Sequence, residues 1–204
     1  MMRFLAVLAL ASLVLIAGGG CILKTKTIEI VLNDDGCVQF SEYETSETFT
    51  TPDTFYLADE LDQLLENNDM SRSDVKTARL VSATYEVTDY DTTDTHWVLT
   101  GAVTVERQDV SDGPENIIDY TNQSVLDAYG VRTVAALNED GVDLLHRAID
   151  DYLLNDERPV LIFTVQNGDC SPNPSVGDPL VFDWEACFGL YVIIEQEYEV
   201  PDPF

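Results

Sequence analysis

Apolar residues recur at every second position along several long stretches of this chain, and this spacing limits the fold more than any other feature. In residues 97–105 the apolar side chains share one face: Trp97, Leu99, Val103 and Val105. Because successive side chains of a strand point to opposite sides, the alternation predicts strands with one buried face. We therefore expect a mainly β fold, an antiparallel β-sandwich with one or two connecting helices.

The clearest pair of predicted strands comprises residues 79–87 and 97–105, separated by the polar stretch 89–95. Two amphipathic strands joined by a polar loop are typical of an antiparallel hairpin, so we expect these two to pair with each other. Val81, Ala83, Tyr85 and Val87 should then share the buried face of the first strand.

Other segments complete the predicted sheets. Further strands are predicted at residues 27–32, 131–137, 160–165 and 181–200, with one or two short strands in 38–55. The sequence Asn-Asp-Asp-Gly at residues 33–36 predicts a turn.

Two segments have helical spacing instead. Leucines recur at helical intervals in residues 57–65, and the pair Asn67-Asn68 follows them. A longer helix is predicted to begin after Asn138, which suits the N-cap position, and to run to about Leu154. Its apolar face would carry Val142, Leu145, Ile149, Tyr152 and Leu153.

The N terminus has the composition of an export signal. Arg3 precedes an unbroken apolar run over residues 4–17, and Gly18, Gly19 and Gly20 lead into Cys21. The run is too short for a permanent membrane span, which needs about 20 residues. A positive start, a short apolar run and small residues are the parts of a cleaved signal peptide.

These residues resemble the precursor of a bacterial lipoprotein. In that family the signal peptidase cuts just before the cysteine, and the new N-terminal cysteine carries acyl chains. The resemblance implies a signal peptide at residues 1–20 and lipidation of Cys21. Residues 21–26 would be the lipidated cysteine and a tether, and the length, charge and strand pattern of the rest predict one acidic β-sandwich domain over residues 27–204. Ile22, in place of Asp, favours the outer membrane in a two-membrane bacterium. The alternatives are ordinary cleavage with release, and an uncleaved anchor.

Acidic residues far outnumber basic residues in this chain. The chain has 38 acidic and 10 basic residues, a net charge of −28. Such a surface repels the phosphates of DNA and RNA, so we exclude nucleic acid as a partner. A solvated acidic surface is the simplest reading, and cation binding is the alternative.

Four cysteines are present: Cys21, Cys37, Cys170 and Cys187. An exported chain can form disulfides. Cys170 and Cys187 flank a proline-containing loop, so we predict a bridge between them, with Cys37 left over. A bridge from Cys37 to either of the other two is the alternative. Without a C-x-x-C pattern, a zinc site is not expected.

Residues for catalysis are sparse. The chain contains no G-x-S-x-G and no phosphate-binding glycine loop. His96 is expected at a strand edge and His146 on the flank of the longer helix, so neither is predicted to be a catalytic base. Carboxylates are too numerous for any one pair to mark a hydrolase.

One acidic loop suggests a metal ion. Asp89, Asp91 and Asp94 have a spacing similar to the opening of a calcium loop, although the glycine and the distal glutamate are absent. Calcium is the only cofactor that we consider, and a solvated hairpin loop is the simpler reading.

These observations favour a lipid-anchored protein of the cell envelope, a non-catalytic structural or binding module whose partner is the membrane. The alternatives are a surface protein that binds or adheres through calcium or another cation, and an envelope hydrolase.

Overall fold

The computed structural model describes residues 22–91, 96–111 and 113–202, with the backbone alone at residues 22–31, 33–35 and 195–202. In chain order the elements are β1 (Ile22–Glu44), β2 (Phe49–Tyr56), α1 (Leu57–Asn67), a short 3-10 helix (Arg72–Asp74), β3 (Val75–Asp89), β4 (Val98–Arg107), β5 (Glu115–Ser124), α2 (Val125–Ala128), β6 (Thr133–Ala135), α3 (Glu139–Asn155), β7 (Val160–Ser171) and β8 (Leu180–Asp202).

The strands form two packed sheets. In the described part of the chain, one sheet has the order β1-β8-β3-β6 and the other β2-β7-β4-β5. The pairings of β3 with β6 and β8, of β7 with β2 and β4, and of β4 with β5 are antiparallel. The prediction of a mainly β, antiparallel sandwich with connecting helices is confirmed.

The two sheets meet through alternate residues of their strands. On β7 the side chains of Leu161, Phe163 and Val165 are buried. Phe163 stacks on Phe188 of β8 in the other sheet, with 4.8 Å between the ring centroids. The period-two pattern therefore produces one continuous apolar layer between the sheets, which is the main source of folding free energy in a sandwich.

The predicted helices are confirmed as α1 and α3. The Asn138 side chain caps α3 by accepting a hydrogen bond from the backbone N–H of Asp140 at 3.2 Å. Gly141 allows the first turn of α3 to lie directly on β5, because a Cβ there would be 2.5 Å from the Asn116 carbonyl oxygen. Leu145 and Ile149 are buried farther along the helix.

The predicted hairpin is wrong. Residues 79–87 lie on β3, which pairs with β8 and β6, whereas residues 97–105 lie mostly on β4, which pairs with β5 and β7. The two strands therefore belong to different sheets. Alternation identifies the buried face of a strand, but it does not identify the neighbour to which the strand hydrogen-bonds.

Four further predictions differ from the structure. The register of β3 against β8 shifts between Leu80 and Ser82, so Leu80 and Ala83 are both buried while Val81 is 56% exposed. Residues 33–36, expected as a turn, lie within β1, as do residues 22–26, expected as a tether. The predicted strand at residues 131–137 is reduced to the three residues of β6.

By backbone packing, Glu29–Glu195 form one compact unit, which contains the core and the sites considered below. Residues 22–28 and 196–202, the beginning of β1 and the end of β8, belong to a second unit. Among the described residues, none of the helices combines the length and the apolar character that crossing a bilayer requires.

Candidate ligand-binding cavity

A cavity lies between the two sheets at the end of the sandwich that carries the β1–β2 connection. Its volume is about 50 Å³. Five aromatic side chains provide much of its wall: Phe49, Tyr85, Tyr120, Phe182 and Trp184. Aliphatic side chains line most of the remainder: Val87, Leu99, Val103, Ile118, Val125, Ala128 and Val165. An apolar cavity of this kind is the usual setting for a small ligand when a few polar groups converge on it.

One carboxyl group stands in this apolar lining. Glu42 follows Val38 and Phe40 on the inward face of β1, and each of the three is only 2% exposed. The Thr51 hydroxyl donates to Glu42 Oε2 at 2.6 Å, and the indole N–H of Trp184 donates to Oε1 at 3.1 Å. Both donors are neutral, so the hydrogen bonds orient the carboxyl group without balancing its charge.

The cavity changes the acidity of Glu42. Burial raises the pKa of this carboxyl group, because removal from water disfavours the charged form. The hydrogen bonds from Thr51 and Trp184 oppose the increase, and the nearby Glu44 carboxylate adds to it. Among the side chains that the structure describes, no arginine or lysine lies within ion-pair distance of Glu42.

The tyrosines complete the polar part of the site. The Tyr85 hydroxyl donates to Gln123 Oε1 at 2.5 Å, and the Tyr120 hydroxyl donates to Asn167 Oδ1 at 3.4 Å. Burial raises the pKa of Tyr85 and of Tyr120, so both phenols remain protonated at neutral pH. Trp184 is held by a stacked ring, Phe40, with 4.7 Å between the centroids.

The lining of the cavity can bind a small polar ligand. A carboxyl group in an aromatic cavity can hold a hydrogen-bond donor or a cation, because the faces of aromatic rings carry negative charge. By volume, the cavity has room for roughly one or two water molecules, each of which takes about 30 Å³ in the liquid. A ligand that fills it without displacing side chains must therefore be a small molecule.

The disulfide prediction is wrong. The bridge joins Cys37 of β1 to Cys187 of β8, and Cys170 is a buried free thiol on β7. Cys37 and Cys187 lie on neighbouring strands of one sheet, whereas Cys170 belongs to the other sheet, so the proline loop does not bring Cys170 to Cys187. Burial raises the pKa of the Cys170 thiol to about 11, with Asp169 and Glu47 adding to the shift.

The predicted calcium ligands are only partly described. Asp89 is the last residue of β3 and Asp91 follows shortly after, whereas Asp94 lies outside the described residues. Asp183 of β8 pairs in register with Asp89, but the carboxylate oxygens of Asp89, Asp91 and Asp183 do not all lie within 4.8 Å of one another. Asp89, Asp91 and Asp183 line a shallow surface depression of about 270 Å³.

The histidines occupy structural positions. His146 lies on α3, and its Nε2 accepts a hydrogen bond from the backbone N–H of Leu80 at 3.1 Å, which joins the helix to β3. His96 is exposed just before β4. Cys21, the predicted lipidation site, lies outside the described residues.

Comparison with known proteins gives no relative, since no family model, curated protein or solved structure matches this chain. The cavity must therefore be interpreted from its own chemistry.

Sequence reasoning did not identify Glu42 as a site residue. The signal was present, since a glutamate occupies a position that the alternation of Val38 and Phe40 assigns to the apolar face. A charged residue at such a position is rarely buried without a specific reason.

Proposed function

We propose that this protein is a lipid-anchored component of the cell envelope and that its β-sandwich is a non-catalytic binding module. The observation that carries the proposal is the N-terminal sequence, in which Arg3, the apolar run at residues 4–17 and three glycines precede Cys21. Two or more acyl chains on Cys21 would hold the protein stably at a membrane, because each buried methylene contributes about 0.8 kcal/mol.

The charge of the protein supports a covalent anchor. A net charge of −28 disfavours adsorption to anionic lipid headgroups, so a protein of this composition needs acyl chains to remain at a bilayer. The cavity at Glu42 supports the binding part of the proposal, because it combines apolar walls with a buried group of defined orientation.

The anchor is tested by the intact mass of the protein isolated from cells. We expect a chain that starts at Cys21, carries acyl mass and sediments with membranes. Cys21→Ala should lose both the acyl mass and the sedimentation, whereas Cys170→Ala, a matched cysteine variant, should keep both. An unmodified N terminus on a protein in the medium would contradict the anchor and favour a secreted binding protein.

A second candidate function is cation-dependent binding at the surface. It is favoured by Asp183, which faces Asp89 across the β3–β8 pairing next to Asp91. Calcium prefers six to eight oxygen ligands, which carboxylates can supply together with water.

Calcium binding would raise the melting temperature by mass action. The comparison must be made at equal ionic strength, because any salt screens the repulsion within so acidic a protein. We expect calcium to exceed sodium in this effect if the site exists, and Asp89→Asn with Asp183→Asn to remove the difference. Equal effects of the two salts would exclude this candidate.

A further inference from the structure

We infer that the cavity at Glu42 binds a small organic ammonium ion, with the Glu42 carboxylate as counter-ion and the surrounding aromatic rings as walls. The inference deepens the proposed function, since it names the ligand class of the binding module. It also rests on that function for its biological setting, although the binding chemistry does not depend on the anchor.

The Glu42 carboxylate has no charged partner among the described side chains. A buried carboxylate is strongly unfavourable unless a cation pairs with it, and its two donors, Thr51 and Trp184, are both neutral. The arginines for which the structure gives ion pairs satisfy other carboxylates: Arg72, Arg79, Arg107, Arg132 and Arg158. A ligand cation would supply the partner that none of the described side chains provides to Glu42.

Aromatic side chains form much of the wall of the cavity. Five aromatic rings surround a space that also contains one carboxyl group. Cations with alkyl groups are attracted to the faces of Trp, Tyr and Phe, and this attraction is strongest where water is excluded. The same wall is unsuited to a metal ion, because calcium requires six to eight oxygen ligands and magnesium retains several waters.

The volume of the cavity limits the size of the ligand. A volume of about 50 Å³ corresponds to roughly one or two water molecules at about 30 Å³ each, which is comparable to an ammonium group with one methyl group. Larger amines would require displacement of the packed side chains.

A ligand can approach the cavity from the solvent on one side. Tyr85, Tyr120, Gln123 and Trp184 line the cavity and are only half-buried, so their side of the cavity approaches solvent. The net charge of −28 raises the local concentration of cations around the protein and so favours their encounter with this opening.

Isothermal titration of the full chain, purified in a non-ionic detergent, tests the inference. Methylammonium chloride is titrated at constant ionic strength, with sodium chloride replaced in equal amount. We expect saturable binding at one site. The neutral molecule methanol, of similar size, should bind at least about tenfold more weakly because it lacks the charge that pairs with Glu42.

Two variants locate the site. Glu42→Gln should weaken methylammonium binding at least about tenfold while keeping the shape of the side chain. Glu66→Gln, at an exposed position on α1, removes an equal charge and should leave the affinity unchanged. The comparison with methanol uses the unaltered protein, so the test does not depend on whether Glu42→Gln folds.

Three results would overturn the inference: no saturable binding by the folded protein, equal binding of methanol, or undiminished binding by Glu42→Gln. The anchor is judged separately from the mass of the N terminus. Binding without acylation would overturn only the anchor, and acylation without binding would overturn only the ligand class.

Discussion

The two ends of the space between the sheets differ in their unfilled volume and in the partners of their carboxyl groups. At the end covered by α3, Ile149 and Phe163 surround a void of only about 20 Å³, whereas the Glu42 end contains about 50 Å³. At the first end, carboxylates on α3 pair with arginines, as Asp150 does with Arg79 at 2.8 Å. At the second end, Glu42 has only neutral donors.

This difference indicates a division of roles. Close packing and paired charges are expected where a region contributes only to stability, whereas an unfilled volume with an unpaired carboxyl group reduces stability. Natural proteins keep such features where a binding site requires them. The α3 end is therefore the stabilising end of the sandwich, and the Glu42 end is the candidate site.

The largest expected effect comes from enlarging the void at the packed end. Ile149 is 1% exposed and lies between α3 and the sheets, so Ile149→Ala should lower the free energy of unfolding by about 2–5 kcal/mol. Urea unfolding measures this loss. Leu154→Ala on the same helix is the control, because Leu154 is 80% exposed and should change stability by less than about 0.5 kcal/mol. Similar losses in both variants would show that the α3 end is not closely packed.

The next effect tests the contact of α3 with β5. Alanine is favoured over glycine within a helix, but a Cβ at position 141 would lie 2.5 Å from the Asn116 carbonyl oxygen and 2.7 Å from Ile117 Cα. Gly141→Ala should therefore destabilise the protein by about 1–3 kcal/mol in urea unfolding. Gly168→Ala, whose nearest atom would be 3.7 Å away, should be nearly neutral. Stabilisation by Gly141→Ala would mean that the helix can move away from β5.

The sequence predicts features that depend on local signals, but it does not predict those that depend on distant contacts. The helices were predictable because the cap at Asn138 and the apolar spacing that follows it are local signals. The strands were predictable for the same reason, since alternation is a property of each segment alone. Strand partners were not, because β3 and β4 both bury one face and differ only in which distant strands lie beside them.

The site depends on the same distant contacts. The bridge of Cys37 to Cys187 spans 150 residues, and sequence separation gave no reason to prefer it over the nearer pair. Glu42 could have been noticed as a charged residue on an apolar face. The aromatic rings around it come from β2, β3, β5 and β8, and only the folded arrangement brings them together.

A smaller effect should come from filling the cavity. Val103→Ile adds one methylene beside existing space, so it should raise the free energy of unfolding by up to about 0.8 kcal/mol and weaken the binding of methylammonium. Val105→Ile is the control on the same strand. Val105 is completely buried and pairs in register with Phe163 at the packed end, so its variant should lose about 1–3 kcal/mol. A loss of stability in both variants would show that the volume near Glu42 cannot accept a further group.

The smallest effect concerns the pH dependence of stability at the cavity end. Burial raises the pKa of Glu42 in the folded protein above its value of 4.5 in the unfolded chain, so the folded state binds more protons. The associated stability is fully present below pH 4.5 and is lost as the pH rises through the folded pKa. Glu42→Gln does not titrate, so wild type should lose stability relative to this variant between pH 4 and pH 7.

Urea unfolding at several pH values measures the difference, and repulsion among the surface carboxylates largely cancels because it affects both proteins. Glu66→Gln should follow wild type across the range, and a parallel course for Glu42→Gln would mean that the Glu42 carboxyl group is as well solvated as one on the surface.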